Sequence, residues 1–347
     1  MKNVTIIGGG IAGLSCGIAL RQRGVPVTVI ESGEYPRHKV CGEFVSGRGA
    51  EFLSSLGIDI ARLGADVQAI SFHNDSTNSA PLSLPEPGIG ISRYRFDFTL
   101  VETLKKLGGH VKSSTRFQSD RWEEGYVCAT GRRRQTKRKW KWYGLKAHVS
   151  DVELASDLEL HLTGNGYVGL CRVDGGKINV CGLFRRSGDS AGRSPNFLEH
   201  FSSAPSLRER LVHAKWDEHS FAAVSALPIG FEHSSRRGLA TFHVGDEAKQ
   251  FLLGDALSMI PPFTGNGMSF ALESASLAVD PLASYSGGEL SWSEASTFFQ
   301  TATRKRFRRR LSVANAAQNL LMLSFCKRLF MRPEIIGIWR HVFSRTR

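Results

Sequence analysis

Apolar residues at the start of the chain fall into two short blocks separated by a helical repeat. Val4-Thr5-Ile6-Ile7 is a run of the kind that forms a buried parallel strand, and Pro26-Val27-Thr28-Val29-Ile30 is a second. Between them, residues 14–23 carry helix formers with apolar positions at helical spacing, and Gly24 stops the repeat. The pattern predicts strand, tight turn, helix, strand. Beyond it we expect a helix over 47–56, strands within 66–92, a helix over 91–107 with Ser92 or Asp97 as its cap, and strands over 111–117 and 125–129. The stretch 142–228 is β-rich, with strands over 143–149, 158–162, 167–173 and 177–184 and a Gly175-Gly176 hairpin signal. An apolar strand over 251–253 then runs into a proline turn, and a helical repeat follows from Gly267. From about Ser291 the chain is helical, with 298–317 expected to break at the basic cluster 304–310 and an apolar stretch at 319–330.

The first turn carries chemistry. Gly8 lets the chain reverse sharply, Gly10 lets the backbone approach a pyrophosphate, and Gly13 lets the helix lie close on the strand. The N–H groups around Ile11 and Ala12 open that helix and offer partial positive charge to phosphates. Glu31, with Ser32 beside it, ends the second strand eighteen positions after Gly13. A carboxylate there accepts two ribose hydroxyls, which favours a dinucleotide without a 2′-phosphate.

At 347 residues the chain has room for about two domains, and 41% apolar and 22% charged residues are ordinary globular values. No basic, apolar and small-residue succession marks a signal peptide, and no apolar run is long enough to span a bilayer. The six cysteines include no C-x-x-C pair, which argues for reduced thiols in a cytoplasm and against a metal site. The net charge of +13 is uneven: residues 302–347 hold twelve Lys or Arg against Glu334 alone, and 132–141 hold seven basic residues and no acid. Such patches suit phosphates, anionic lipid or nucleic acid, or else form a solvated basic face.

After Glu31 comes Tyr35-Pro36-Arg37-His38-Lys39-Val40-Cys41-Gly42-Glu43. Its Pro-Arg-x-Lys-x-Cys-Gly-Glu order resembles the FAD-binding segment of the geranylgeranyl reductase family, within the superfamily of single-component flavin monooxygenases and flavin-dependent halogenases. The resemblance covers most of residues 1–290. It implies that Arg37, Cys41, Gly42 and Arg93 lie near FAD, and that the turn Thr130-Gly131 returns the chain to the adenosine half. On the residues alone, a lone cysteine such as Cys41 is more often a small packing residue, and Arg93 is equally a surface charge. The second FAD segment is Gly254-Asp255 with the turn through Pro262, Gly265, Asn266, Gly267 and Met268. Here the aspartate would bond the ribityl chain, and the new helix N-terminus would face the flavin edge that turns negative on reduction. The earlier Gly245-Asp246 pair has no such proline turn after it.

Departures from the family pattern bear on the substrate. The prenyl reductases carry a Trp and a Phe-Pro after a sheet tyrosine, whereas Tyr167-Val168-Gly169-Leu170-Cys171-Arg172 keeps only the tyrosine. The halogenase Trp-x-Trp-x-Ile-Pro signature is also incomplete, since Trp140-Lys141-Trp142 leads into Tyr143-Gly144-Leu145. The fold expected is α/β: a three-layer, Rossmann-like FAD domain (1–65, 91–135 and 236–290), an inserted β-sheet substrate domain (66–90 and 136–235) and a basic helical region (291–347). The function expected is an FAD-dependent oxidoreductase on a hydrophobic small molecule, first a monooxygenase using NAD(P)H and O₂, alternatively a C=C reductase. Cys41, Tyr167 and His148 are the catalytic candidates, with Lys146 beside them. Expected partners are the substrate and, through the C-terminal region, an anionic membrane surface. A flavoprotein that binds nucleic acid ranks last, because the tail lacks the aromatic interleaving of a single-strand groove.

Overall fold

In the computed structural model, which describes residues 1–74, 78–118, 122–132, 140–187, 201, 205–227 and 250–321, the two opening apolar runs become β1 (Val4–Ile7) and β2 (Val27–Ile30) of one sheet. Numbered in chain order, β6 (His110–Lys112), β7 (Tyr126–Cys128) and β13 (Phe251–Leu252) complete it. The order is β13-β7-β1-β2-β6, and every pairing is parallel. Helix α1 (Ile11–Gln22) connects β1 to β2 and is buried at every residue from Ile11 to Leu20. It packs against α3 (Arg93–Lys106) and against α5, the helix Gly267–Gly287. A polar face on α1 would have no solvent to meet, which accounts for its all-round apolar and small residues.

The expected strand over 111–117 is shorter than its pattern: β6 ends at Lys112. Thr115 donates its N–H to the Glu31 carbonyl and Ser114 donates to that of Gly33, with Ser114 at φ 51°. The chain therefore turns across the end of β2 instead of extending beside it.

The second sheet is larger. It comprises β3 (Phe44–Ser46), β4 (Ala65–His73), β5 (Leu82–Gly90), β8 (Trp140–Ser150), β9 (Leu158–Thr163), β10 (Gly166–Arg172), β11 (Ile178–Ser187) and β12 (Lys215–Leu227), in the order β12-β8-β11-β10-β9-β4-β5-β3. All its pairings are antiparallel except β4 with β9. Alternation along each strand separates its two faces. Tyr167 and Cys171 of β10 join Phe263, Trp142 and Leu162 in one apolar cluster, while Val168 and Leu170 join Leu207 and Leu211 of α4 (Pro205–Val212) in another. Helix α2 (Arg48–Ser55) links the sheets by packing on α5, where Gly49 lies so close that a Cβ would stand 2.8 Å from the Ser269 Cα.

The basic C-terminal helix is continuous. Instead of breaking at 304–310, α6 runs from Trp292 to Leu321 behind a capping box in which Ser291 and Glu294 exchange bonds. Like charges are tolerated because the helix divides them. Arg306 and Arg310 turn inward onto the carboxylate of Glu273 on α5, and Phe307 and Leu311 fill the same inner face. Glu273→Ala removes the carboxylate with which Arg310, 5% exposed, is paired. Urea unfolding is expected to show a loss of about 3–5 kcal/mol.

Candidate active site

The two glycine motifs meet although more than two hundred residues separate them. A Cβ on Gly254 would stand 3.2 Å from that of Ala12 in α1 and 3.4 Å from that of Ala271 in α5, and the Gly254 N–H donates to Ser274 Oγ. Gly8 has φ +111°, and a side chain there would strike the Ala129 carbonyl at 2.2 Å. Gly13 sits with a would-be Cβ 2.1 Å from the Gly8 carbonyl oxygen. Gly10, Gly42, Gly131 and Gly267 are different, since no atom lies within 4 Å of a Cβ built on any of them. Neither Gly10 before α1 nor Asn266 before α5 contributes a side-chain cap, and Ile11, Ala12 and Met268 are buried in the first turns. Neither N-cap side chain therefore competes with another acceptor for the N-terminal N–H groups.

Glu31 ends β2 as expected and is 6% exposed. Its carboxylate accepts the N–H groups of Gly9 and Gly33 and the Ser32 hydroxyl, and pairs with Arg37 at 2.7 Å. Burial opposes its ionisation, but the Arg37 guanidinium and the Gly33 N–H outweigh that and hold its pKa below the ordinary range. Tyr35 closes this end by donating its hydroxyl to the Gly9 carbonyl. Thr130 lies just beyond β7, 3.4 Å from Cys128 Sγ. On the far side, Asp255 reaches solvent although protein atoms crowd it. Desolvation raises its carboxyl, and Arg132 and Arg93 work against that rise. The 310 turn Pro262–Thr264 and Gly265, at φ +67°, precede α5 and touch Phe44 of the second sheet. Gly245-Asp246 lies outside the described residues.

Arg93 opens α3 and is no surface charge: it bonds Asp97 through both Nε and Nη2. Burial works against its cationic form, but Asp97 more than offsets this and raises its pKa. Its positive charge also acts on the Cys41 thiol, whose pKa burial raises despite that charge. Lys39 completes the group on the fully buried Asp97.

Period-two alternation on β8 puts Lys146 and His148 on one face, opposite Cys181 and Asn179 of β11 and beneath the 38–43 loop. There they meet Glu43, which is fully buried at φ 57°. Glu43 Oε2 lies 2.6 Å from His148 Nε2, and Oε1 pairs with Lys146 Nζ at 3.3 Å and accepts from the Arg93 N–H at 2.9 Å. Burial again opposes ionisation of Glu43, yet the His148 bond and the Lys146 charge keep it below the ordinary carboxylate range. Lys146 Nζ, with no exposed surface, also reaches His38 Nδ1 at 2.9 Å. Asn179 donates its amide to the Cys41 carbonyl. His148 and Lys146 are therefore locked in a buried ion network, whereas Tyr167 stands apart from them against Phe263. Sequence reasoning missed Glu43 and His38 as members of this network. The signal available was the acid in the loop motif facing two basic residues two positions apart on a strand.

A second buried group lies on the opposite face of that sheet. Glu159 accepts from His161 and from both terminal nitrogens of Arg210, and His73 stacks on His161 with ring centroids 4.4 Å apart. Ligand atoms of His38, Glu43 and His148, and of His73, Glu159 and His161, come as close as metal ligands do, but Lys146 and Arg210 already supply the cation in each case.

These groups make stability depend on pH. Burial and the Lys146 charge push His38 down to about 4 from an ordinary 6.5, so the unfolded chain takes up that proton first. Stability should fall as pH drops from 6.5 through about 4. Glu159 resists desolvation through His161 and Arg210 and titrates at about 2 instead of 4.5, which adds a second loss from 4.5 through about 2. Urea midpoints measured against pH should lose the upper limb in His38→Gln and the lower one in Glu159→Gln.

Comparisons with known proteins agree with this geometry. A family model described as pyridine nucleotide-disulphide oxidoreductase matches residues 3–80. The menaquinone reductase of Mycobacterium tuberculosis is 25% identical, over 81% of this chain and 76% of its own length. The chain is an FAD-dependent oxidoreductase. Among solved structures, the flavoprotein resembles a flavoprotein/dehydrogenase from Cytophaga hutchinsonii with a TM-score of 0.76 and 16% identity, covering 99% of this chain and 92% of the other. It resembles a geranylgeranyl bacteriochlorophyll reductase-like protein from Thermoplasma acidophilum with a TM-score of 0.70 and 18% identity, covering 97% and 95%. PqsL of Pseudomonas aeruginosa, a probable FAD-dependent monooxygenase, gives a TM-score of 0.67 and 16% identity, covering 99% and 98%. At these identities the structural likeness is one of fold. No helix among the described residues is long and apolar enough to cross a membrane.

Proposed function

We propose that this flavoprotein reduces a carbon–carbon double bond in a hydrophobic substrate that also carries a polar group, with NADH or NADPH as electron source. The observation that carries the reading is the hydroxyl of Tyr167. It is buried, has no hydrogen-bond partner among the described residues, and belongs to an apolar cluster with Phe263 of the turn before α5. Burial raises its pKa well above the ordinary 10, so it stays protonated and able to donate. Unmatched buried groups cost about 1–3 kcal/mol each, which a substrate oxygen would offset. Ala317 of α6 lines the same cluster, and the amide of its neighbour Gln318 is likewise buried without a partner among the described residues. The menaquinone reductase likeness supports a substrate of this kind.

The residues present fit FAD. Gly10 offers open space at an uncapped helix start, Glu31 offers a carboxylate for ribose hydroxyls, and at the other end Asp255 offers an acceptor and the N-terminus of α5 offers N–H donors. When bound and reduced, FAD supplies a hydride. Tyr167 would supply the matching proton to the substrate from its hydroxyl, and Phe263, Trp142, Leu162 and Leu183 would exclude water. The buried Glu43–Lys146–His148 network would hold the Cys41–Gly42 turn in place, with Asn179 fixing the Cys41 carbonyl.

Monooxygenation is the second reading, supported by the likeness in fold to PqsL. Incubating the holoenzyme with NADH or NADPH and menaquinone separates the two. Gain of two hydrogens that needs no O₂ and persists after the quinone ring is reoxidised in air supports reduction of a carbon–carbon double bond, and a product with one added oxygen, formed only in air, supports oxygenation.

A further inference from the structure

The outer face of α6 is not explained by the fold or by the proposed reaction. Of the six basic residues in the helix, Arg306 and Arg310 are used internally on Glu273, while Arg304, Lys305, Arg308 and Arg309 are all exposed. At about 100° per residue, Phe298, Lys305, Arg309, Ala316 and Leu320 lie along one line of the helix surface, within about 60° of one another. All five are exposed, Phe298 by 60% and Leu320 by 45%. The line therefore reads aromatic, basic, basic, small, apolar, with Phe298 and Leu320 about 33 Å apart.

We propose that this face docks on an anionic lipid bilayer, with the four basic residues at headgroup level and Phe298 and Leu320 entering the acyl boundary at either end. Two features favour lipid over another polyanion. An arginine patch alone would serve nucleic acid equally, but large apolar side chains in water at both ends of the patch gain nothing from a phosphate backbone and do gain from a bilayer interface. Glu294, the one acid of the helix, lies near its start and away from the patch. The inner face of α6 carries Ala317 onto the apolar cluster that holds Tyr167, so a docked helix would set that cluster facing inward from the membrane surface. The surface stands independently of the reaction, and its test uses no turnover.

The full-length protein should co-sediment at low salt with vesicles of phosphatidylcholine containing phosphatidylglycerol, not with phosphatidylcholine alone, and should release as salt rises. Each basic residue near an anionic surface is worth about a fivefold change in partitioning, so Lys305→Ala/Arg309→Ala should bind about 25-fold more weakly. Phe298→Ser/Leu320→Ser should also weaken binding, most visibly in the fraction retained at raised salt. All four positions are exposed, and an unchanged melting temperature checks that the variants fold. Equal binding to neutral vesicles, or full binding by Lys305→Ala/Arg309→Ala, overturns the proposal. So does full binding by Phe298→Ser/Leu320→Ser together with tighter capture by an oligonucleotide, which would make the face a general polyanion site.

Discussion

Gly10→Val should give a folded but colourless protein. No atom lies within 4 Å of where its Cβ would sit, so the added side chain meets none of the protein's own packing and points into the space before α1. That space is where the open N–H groups of the helix start would receive a pyrophosphate. Losing two charge-assisted hydrogen bonds at about 1.5 kcal/mol each corresponds to roughly 100-fold weaker FAD binding, which flavin absorbance of the purified protein and titration with FAD would read. Gly13→Val is the contrast. Its side chain would collide with the Gly8 carbonyl oxygen, 2.1 Å from the Cβ position, so the cost falls on the fold itself, about 3 kcal/mol in urea unfolding. If Gly10→Val keeps its flavin, the pyrophosphate assignment is wrong. If it unfolds as Gly13→Val does, the open space has been misread.

Tyr167→Phe should lose product formation by about 10²–10⁴-fold while keeping its flavin and gaining stability. The hydroxyl is buried without a partner among the described residues, and replacing it with hydrogen leaves the contact with Phe263 and the rest of the apolar cluster intact. Removing an unsatisfied polar atom from such a place is expected to stabilise the free protein by about 1 kcal/mol. The opposite signs make the experiment informative. A tyrosine kept only for packing would leave turnover unchanged in the phenylalanine variant, and one held by a structural hydrogen bond would lower the melting temperature. Loss of activity with a raised melting temperature and full flavin content is the signature of a group kept unsatisfied for the substrate.

Much of the fold was legible because its signals are local. The strand–glycine–helix–strand succession over the first thirty residues, the carboxylate at Glu31, the second Gly-Asp turn and the β10–β11 hairpin all follow from period and turn chemistry within a few residues. Alternation alone places Lys146 and His148 on one face of a strand. Local signals also misled where a distant partner decided the outcome. The basic cluster in α6 looks like a break until Glu273, more than thirty residues earlier, takes two of its arginines inward. The strand after His110 looks longer until the end of β2 turns it aside.

The chemistry of the candidate site belongs to tertiary structure. Nothing near Glu43 in the chain announces that its partners are Lys146 and His148, because sheet order, with β8 lying beside β11 beneath the 38–43 loop, brings them together across a hundred residues. Tyr167 differs from any other strand tyrosine only in standing against Phe263 with its hydroxyl unmatched. Sequence by itself determined which residues could form strands, turns and helix starts, since those depend on backbone geometry over a few positions. Which buried charges are paired, which are turned to solvent and which hydroxyls are left without a partner among the described residues were decided only when the two sheets and α6 packed, since desolvation depends on every atom that surrounds a group.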